Sequence, residues 1–64
     1  MTPAPTTWVA SEIRALRLRL GLSRAEFAVR VGVAYHTICS WEQGKSKPDR
    51  RNAKALDALR EEGT

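Results

Sequence analysis

Apolar side chains near the start of the chain recur at steps of four, three and four residues: Val9, Ile13, Leu16 and Leu20. This spacing brings all of them to one face of a helix. It predicts a first helix over residues 7–20, with Thr7 as its N-cap. Gly21 follows directly, and glycine is common just past the end of a helix.

Three further segments with helical patterning follow. Ser23 and Glu26 have the spacing of a capping box and predict the start of a second helix, which Gly32 ends. A third helix is predicted over about residues 35–43, and a last one over about 49–61 with Asp49 as its N-cap. The predicted inward side chains are Phe27, Ala28 and Val31 of the second helix, Ile38 and Trp41 of the third, and Ala53, Leu56 and Leu59 of the last. No segment alternates as a strand does, so the pattern predicts an all-α compact bundle of about four helices.

The first six residues differ from the rest of the chain. Pro3 and Pro5 interrupt regular hydrogen bonding, and the remaining residues are small or polar. Residues 1–6 are therefore predicted to be a flexible arm in front of one domain over residues 7–62. The role of Trp8, just after the arm, stays open between packing on the core and lying in a subunit contact.

Composition narrows the class of partner. The chain has 64 residues and a formal net charge of +4, which fits a polyanion, although many basic domains bind no nucleic acid. Cys39 is the only cysteine, and no group of residues has metal-ligand spacing, so we expect neither a metal nor a cofactor. No apolar run approaches the roughly 20 residues of a membrane span, and no signal peptide is visible. We therefore expect a cytoplasmic protein that does not enter membranes.

The glycine turn between the second and third helices is the most informative local feature. Residues 32–34, with the letters GVA, join two short helices, and glycine permits the left-handed backbone of a tight bend. On spacing alone, this turn fits either a helix-turn-helix over about residues 23–43 or an ordinary small helical bundle.

Longer motifs separate these two interpretations. The segment GLSRAEFA at residues 21–28, the turn at 32–34, and TICSWEQGKSKP at 37–48 together resemble the lambda-repressor-like helix-turn-helix domain, also called the XRE family. The similarity covers roughly residues 13–59 and implies a regulator that binds specific sequences of double-stranded DNA. Two positions depart from the usual pattern, because Arg24 stands where Gln is common and Ala34 where Ser or Thr usually caps the third helix.

The motif places its second helix in the major groove, with the N-terminal residues of that helix toward the base edges. Helical geometry puts Tyr35, His36 and Ser40 on the face away from the core, and we predict that these three read bases. His36 and Cys39 lie one turn apart, but catalysis or zinc binding would need further groups that a chain of this size hardly offers. We therefore expect no enzymatic activity.

The remaining predicted site residues contact DNA phosphates or hold the helices in place. The candidates for contact with the DNA backbone are Arg24, Thr37, Lys45 and Lys47. The resemblance also implies a structural ion pair between Arg17 and Glu42, which would set the angle of the third helix.

The favoured hypothesis is a small homodimeric repressor that binds operator DNA, as an autoregulating phage or plasmid-type regulator of a bacterial cell would. The last helix is predicted to carry the subunit contact through Ala55, Leu56 and Leu59, and no small-molecule effector is expected. The alternative is a protein-interaction module, such as an antitoxin that covers a partner protein and binds DNA only secondarily.

Overall fold

The computed structural model describes residues 8–62, which form four helices and no strand. The helices are α1 (Ala10–Leu20), α2 (Arg24–Val31), α3 (Tyr35–Glu42) and α4 (Arg50–Glu62). Helix α3 packs against both α1 and α2, and α4 packs against α2. The all-α fold with four helices is confirmed. The predicted arm at residues 1–6 and the predicted N-cap Thr7 lie outside the described residues.

The helix ends follow local sequence signals. The hydroxyl of Ser23 accepts a hydrogen bond from the N–H of Glu26 at 3.1 Å, and the Glu26 carboxylate accepts one from the N–H of Ser23 at 2.8 Å. This is the predicted capping box. Asp49 caps α4 by accepting a hydrogen bond from the N–H of Asn52 at 2.9 Å. Gly32 has a φ of 93°, in the left-handed region, and this allows the tight turn between α2 and α3.

One core holds the four helices together. It consists of Trp8, Ile13, Leu16, Phe27, Ala28, Ile38, Trp41, Ala53, Leu56 and Leu59. Phe27, Ile38 and Leu56 are fully buried and come from three different helices. Helix α3 contributes two side chains to the core, Ile38 and Trp41. They fix its inward face against α1 and α2.

Trp8 packs on this core and leaves only 4% of its surface exposed. Its indole N–H donates a hydrogen bond to the Asp57 carboxylate at 3.1 Å, and the Arg60 guanidinium lies 4.8 Å from its ring centroid. The side chain thereby joins the start of α1 to α4. The first helix begins later than predicted, because α1 starts at Ala10 and Val9 is its N-cap residue. Val9 is 42% exposed and does not share the buried face of Ile13 and Leu16.

Two of the three residues predicted to form the subunit contact do not lie on the outer surface of α4. Leu56 and Leu59 are buried in the core of their own chain, and Ala55 is only half-buried. The two leucines are used to attach α4 to the rest of the fold, so they present no apolar surface to a second subunit. A subunit contact through α4 would have to use its other side chains.

Candidate nucleic-acid interface

The outward face of α3 is the first part of the candidate interface. Tyr35 and His36 begin the helix and are both exposed, Tyr35 to 53%. Ile38 and Trp41 hold the opposite face in the core. The turn at residues 32–34 thus presents the first two side chains of α3 to solvent on a helix whose position is fixed by packing. Their hydrogen-bonding groups fit the base edges of a major groove.

Ser40, the third predicted base reader, has a partner within the chain. It is half-buried, and its Oγ lies 2.8 Å from the Oγ of Ser46. The structure therefore brings Tyr35 and His36 to the free surface of α3 and directs the Ser40 hydroxyl toward the loop that follows the helix.

Gln43 is an exposed side chain that the sequence interpretation missed. It is the C-cap residue of α3, and it follows His36 by seven residues, or about two helical turns. A glutamine side chain offers both a donor and an acceptor and suits the edge of adenine. The helical spacing from His36 was the available signal, but Gln43 was assigned only to the end of the helix.

Glu42 is the centre of a buried ion cluster. Arg17 donates to its carboxylate from Nε at 2.7 Å and from Nη2 at 3.3 Å, so the pair is bidentate. The two side chains are only 10% and 4% exposed. Arg17 also donates from Nη1 to the carbonyl of Leu22 at 3.1 Å. The predicted ion pair is present, and it ties α1 to the C-terminal end of α3 and to the α1–α2 loop.

Arg24 contacts the same carboxylate. Its Nε donates to Glu42 at 3.3 Å, while nearly half of its side chain stays exposed. The hydrogen bond and the charge of Glu42 raise the pKa of Arg24, and smaller contributions come from Cys39 and the Tyr35 hydroxyl. Tyr35, Cys39 and Glu42 follow one another along one flank of α3 at steps of four and three residues. The Arg24 guanidinium therefore lies beside that flank. Arg24 is thus both a candidate for phosphate contact and a side chain held by α3.

The loop after α3 begins with an ordered reversal. Gly44 has a φ of 79°, its N–H donates to the Trp41 carbonyl at 3.1 Å, and the N–H of Lys45 donates to the Ser40 carbonyl at 3.0 Å. These two bonds form a Schellman motif, which satisfies carbonyls at the helix end. The reversal fixes the position of Lys45 relative to the end of α3.

Basic side chains continue from this loop into α4. Lys45, Lys47, Arg50 and Arg51 are exposed, and none of them forms an ion pair with another residue of the range 8–62. The first turn of α4 contains no acidic residue, although acidic side chains are favoured there. Lys45 and Lys47 were predicted as backbone contacts. Arg50 and Arg51 were not, although the run of basic residues was visible in the sequence.

Thr37, the other predicted contact with the DNA backbone, and Cys39, the only cysteine of the chain, also lie on α3. Thr37 is half-buried in the first turn of α3, and Cys39 is half-buried farther along the same helix.

Within residues 8–62, no group of three or more His, Cys, Asp or Glu side chains is arranged to hold a metal ion. In the same range, no helix has the length and apolarity needed to cross a bilayer.

Comparison with known families agrees with this arrangement. A family model described as Helix-turn-helix, of the lambda-repressor-like type, matches residues 13–59. The matched range includes all of α2 and α3, the loop with the two lysines, and most of α1 and α4. No curated protein and no solved structure matches the chain. The family match confirms the resemblance found in the sequence.

Proposed function

Because the chain belongs to the lambda-repressor-like helix-turn-helix family of DNA-binding transcription regulators, we propose that it is a repressor that binds operator DNA as a homodimer. The observation that carries this proposal is the division of α3 into two faces. One face is anchored in the core, and the other presents exposed Tyr35 and His36 beside basic side chains without ion-pair partners among the described residues.

In this proposal α3 lies in the major groove and its N-terminal side chains read base edges. Tyr35 supplies a hydroxyl and an aromatic edge that can lie against a thymine methyl group, and neutral His36 supplies one donor and one acceptor. Gln43 is a further base-reading candidate at the other end of the same face. Ser40 belongs to this face by position, but its hydroxyl is engaged by Ser46.

The cations beside α3 contact phosphates in this proposal. Lys45 and Lys47 follow the reading helix directly, and Arg50 and Arg51 extend the same basic surface onto α4. Phosphate contacts supply affinity and hold the protein in register, but they carry no sequence information. Thr37 and Arg24 are two more candidates at the edges of α3, and Arg24 would exchange part of its contact with Glu42 for a phosphate.

A homodimer would place two copies of α3 about 34–36 Å apart, one turn of DNA. Since Leu56 and Leu59 are buried within each chain, the contact we propose on α4 uses its outer side, where Ala55 is half-buried and Ala58 is exposed. The stoichiometry of the complex tests this part separately, with two chains expected on each operator duplex.

The experiment that tests the function is selection of bound duplexes from a random pool, followed by binding measurements on the selected sequence. We expect a palindromic consensus for the wild-type chain. Tyr35→Ala should change which bases are preferred. Lys47→Ala should weaken binding to all sequences alike and reduce the slope of log affinity against log salt by about one, the effect of losing one phosphate contact.

Two results would contradict the proposal. If Lys47→Ala altered base preference, the division between reading and phosphate contact would be wrong. If the chain retained no duplex from the pool but bound a partner protein with little dependence on salt, the interaction-module alternative would replace DNA binding as its main function.

A further inference from the structure

Ser40 holds two positions of the loop that follows α3. Its carbonyl accepts a hydrogen bond from the N–H of Lys45 at 3.0 Å, and its hydroxyl pairs with that of Ser46 at 2.8 Å. The second contact joins the helix to the residue that lies between the two lysines of the loop.

The hydrogen bond between the Ser40 and Ser46 hydroxyls lies in a part of the loop that has no backbone–backbone hydrogen bonds to the described residues. The Schellman motif ends at Lys45, and residues 46–48 form no backbone–backbone hydrogen bond with any residue of the described range. The next such bond in the chain is donated by Ala53 to the carbonyl of Asp49. Among the described residues, the contact between Ser40 and Ser46 is therefore the hydrogen bond that restrains the segment carrying Lys47.

We propose that Ser40 is a positioning residue for the phosphate-contacting loop and not a reader of bases, an inference that rests on the proposed DNA-binding function. A loop that is ordered before binding loses less conformational freedom when its lysines meet phosphates. Because phosphates are alike in every sequence, this ordering strengthens binding to all duplexes equally. Sequence preference then comes from the other outward side chains of α3.

The test compares Ser40→Ala, Ser46→Ala and the double variant on the duplex selected by the wild-type chain. Ser11→Ala is the matched control, because Ser11 is an exposed serine of α1 with no hydrogen bond to its side chain among the described residues. We expect each single variant to raise Kd by about two- to fivefold, the effect of one exposed hydrogen bond. The double variant should raise Kd no further than either single variant, and Ser40→Thr should recover part of the loss.

Base preference separates positioning from reading. Selection with Ser40→Ala should return the wild-type consensus. A changed consensus for Ser40→Ala, with Ser46→Ala unchanged, would overturn the proposal because Ser40 would then contact a base. Multiplied effects in the double variant would also overturn it, since independent contacts add in free energy while a shared one does not.

A measurement on the free protein distinguishes failure of this inference from failure of the proposed function. Backbone amide order parameters of residues 46 and 47 should fall equally in Ser40→Ala and Ser46→Ala and stay unchanged in Ser11→Ala. Absence of DNA binding together with this fall would refute the DNA-binding function and leave the restraint itself established. Unchanged order parameters in both loop variants would refute the restraint, whatever the DNA result.

Discussion

Removing Arg17 should destabilise the fold more than removing any exposed arginine. In Arg17→Ala, the Glu42 carboxylate loses two of its three hydrogen bonds from arginines, and the Leu22 carbonyl loses its donor. Taking one partner from a buried ion pair costs about 3–5 kcal/mol. Because Arg24, whose side chain is 46% exposed, remains on Glu42 at 3.3 Å and still compensates part of its charge, we expect a loss of about 2–3 kcal/mol.

This loss is large relative to the whole stability of the chain. At roughly 0.05–0.15 kcal/mol per residue, a domain of this size has about 3–10 kcal/mol. A domain of roughly 60–100 residues loses about 4–8 °C of Tm per kcal/mol, so the expected decrease in Tm is roughly 8–24 °C. Thermal unfolding followed by circular dichroism, with urea unfolding for the free energy, measures both quantities.

The control must be an arginine without a structural role. Arg60 has too many contacts for this purpose, because it lies over the Trp8 ring and pairs with Asp57. Arg14 is the better choice, since it is exposed on the same helix as Arg17 and forms no ion pair or side-chain hydrogen bond with the described residues. Equal Tm values for Arg17→Ala and Arg14→Ala would refute the structural role of the ion cluster.

Two further predictions concern helix caps. The hydrogen bonds from Ser23 lower the pKa of Glu26 below its ordinary value of 4.5. A group whose pKa is lower in the folded state contributes stability above its unfolded pKa and loses that contribution as the pH falls through the folded pKa. The difference in urea-unfolding stability between wild type and Glu26→Gln should therefore be constant near neutral pH and shrink on acidification below about 4.5; a difference independent of pH would contradict the role of the charge. The second prediction is that Ala34→Ser stabilises the chain by about 1 kcal/mol, because Ala34 has the extended backbone of an N-cap but no side-chain hydrogen bond to α3. An unchanged urea midpoint would show that the first turn of α3 gains nothing from a hydroxyl cap.

Both ends of α2 could be predicted from the sequence because their causes are local. The capping box of Ser23 and Glu26 and the left-handed glycine at 32 each act within a few residues. The inward side chains of α2, α3 and α4 were also predictable, since helical periodicity alone identifies them. The ion pair between Arg17 and Glu42 spans 25 positions, and only the family resemblance indicated it.

The sequence could not predict contacts that depend on how the elements meet. Helical spacing continued back to Val9, but periodicity does not show where a helix begins, and Trp8 packs on the core instead. An apolar pattern likewise marks Leu56 and Leu59 as buried without showing whether the cover is the same chain or a second one. The contact between Ser40 and Ser46 depends on the path of an irregular loop, which no periodic pattern predicts.

The most direct test of the central claim is an NMR titration. Amide chemical shifts of the isotope-labelled chain are recorded while the selected duplex is added. We predict that the shifts change most at residues 35–47, covering the outward side of α3 and the loop after it, and at the first turn of α4. The exposed side of α1 around Arg14 should change little. Largest changes on that side of α1, with α3 unaffected, would contradict the assignment of α3 as the helix that reads DNA.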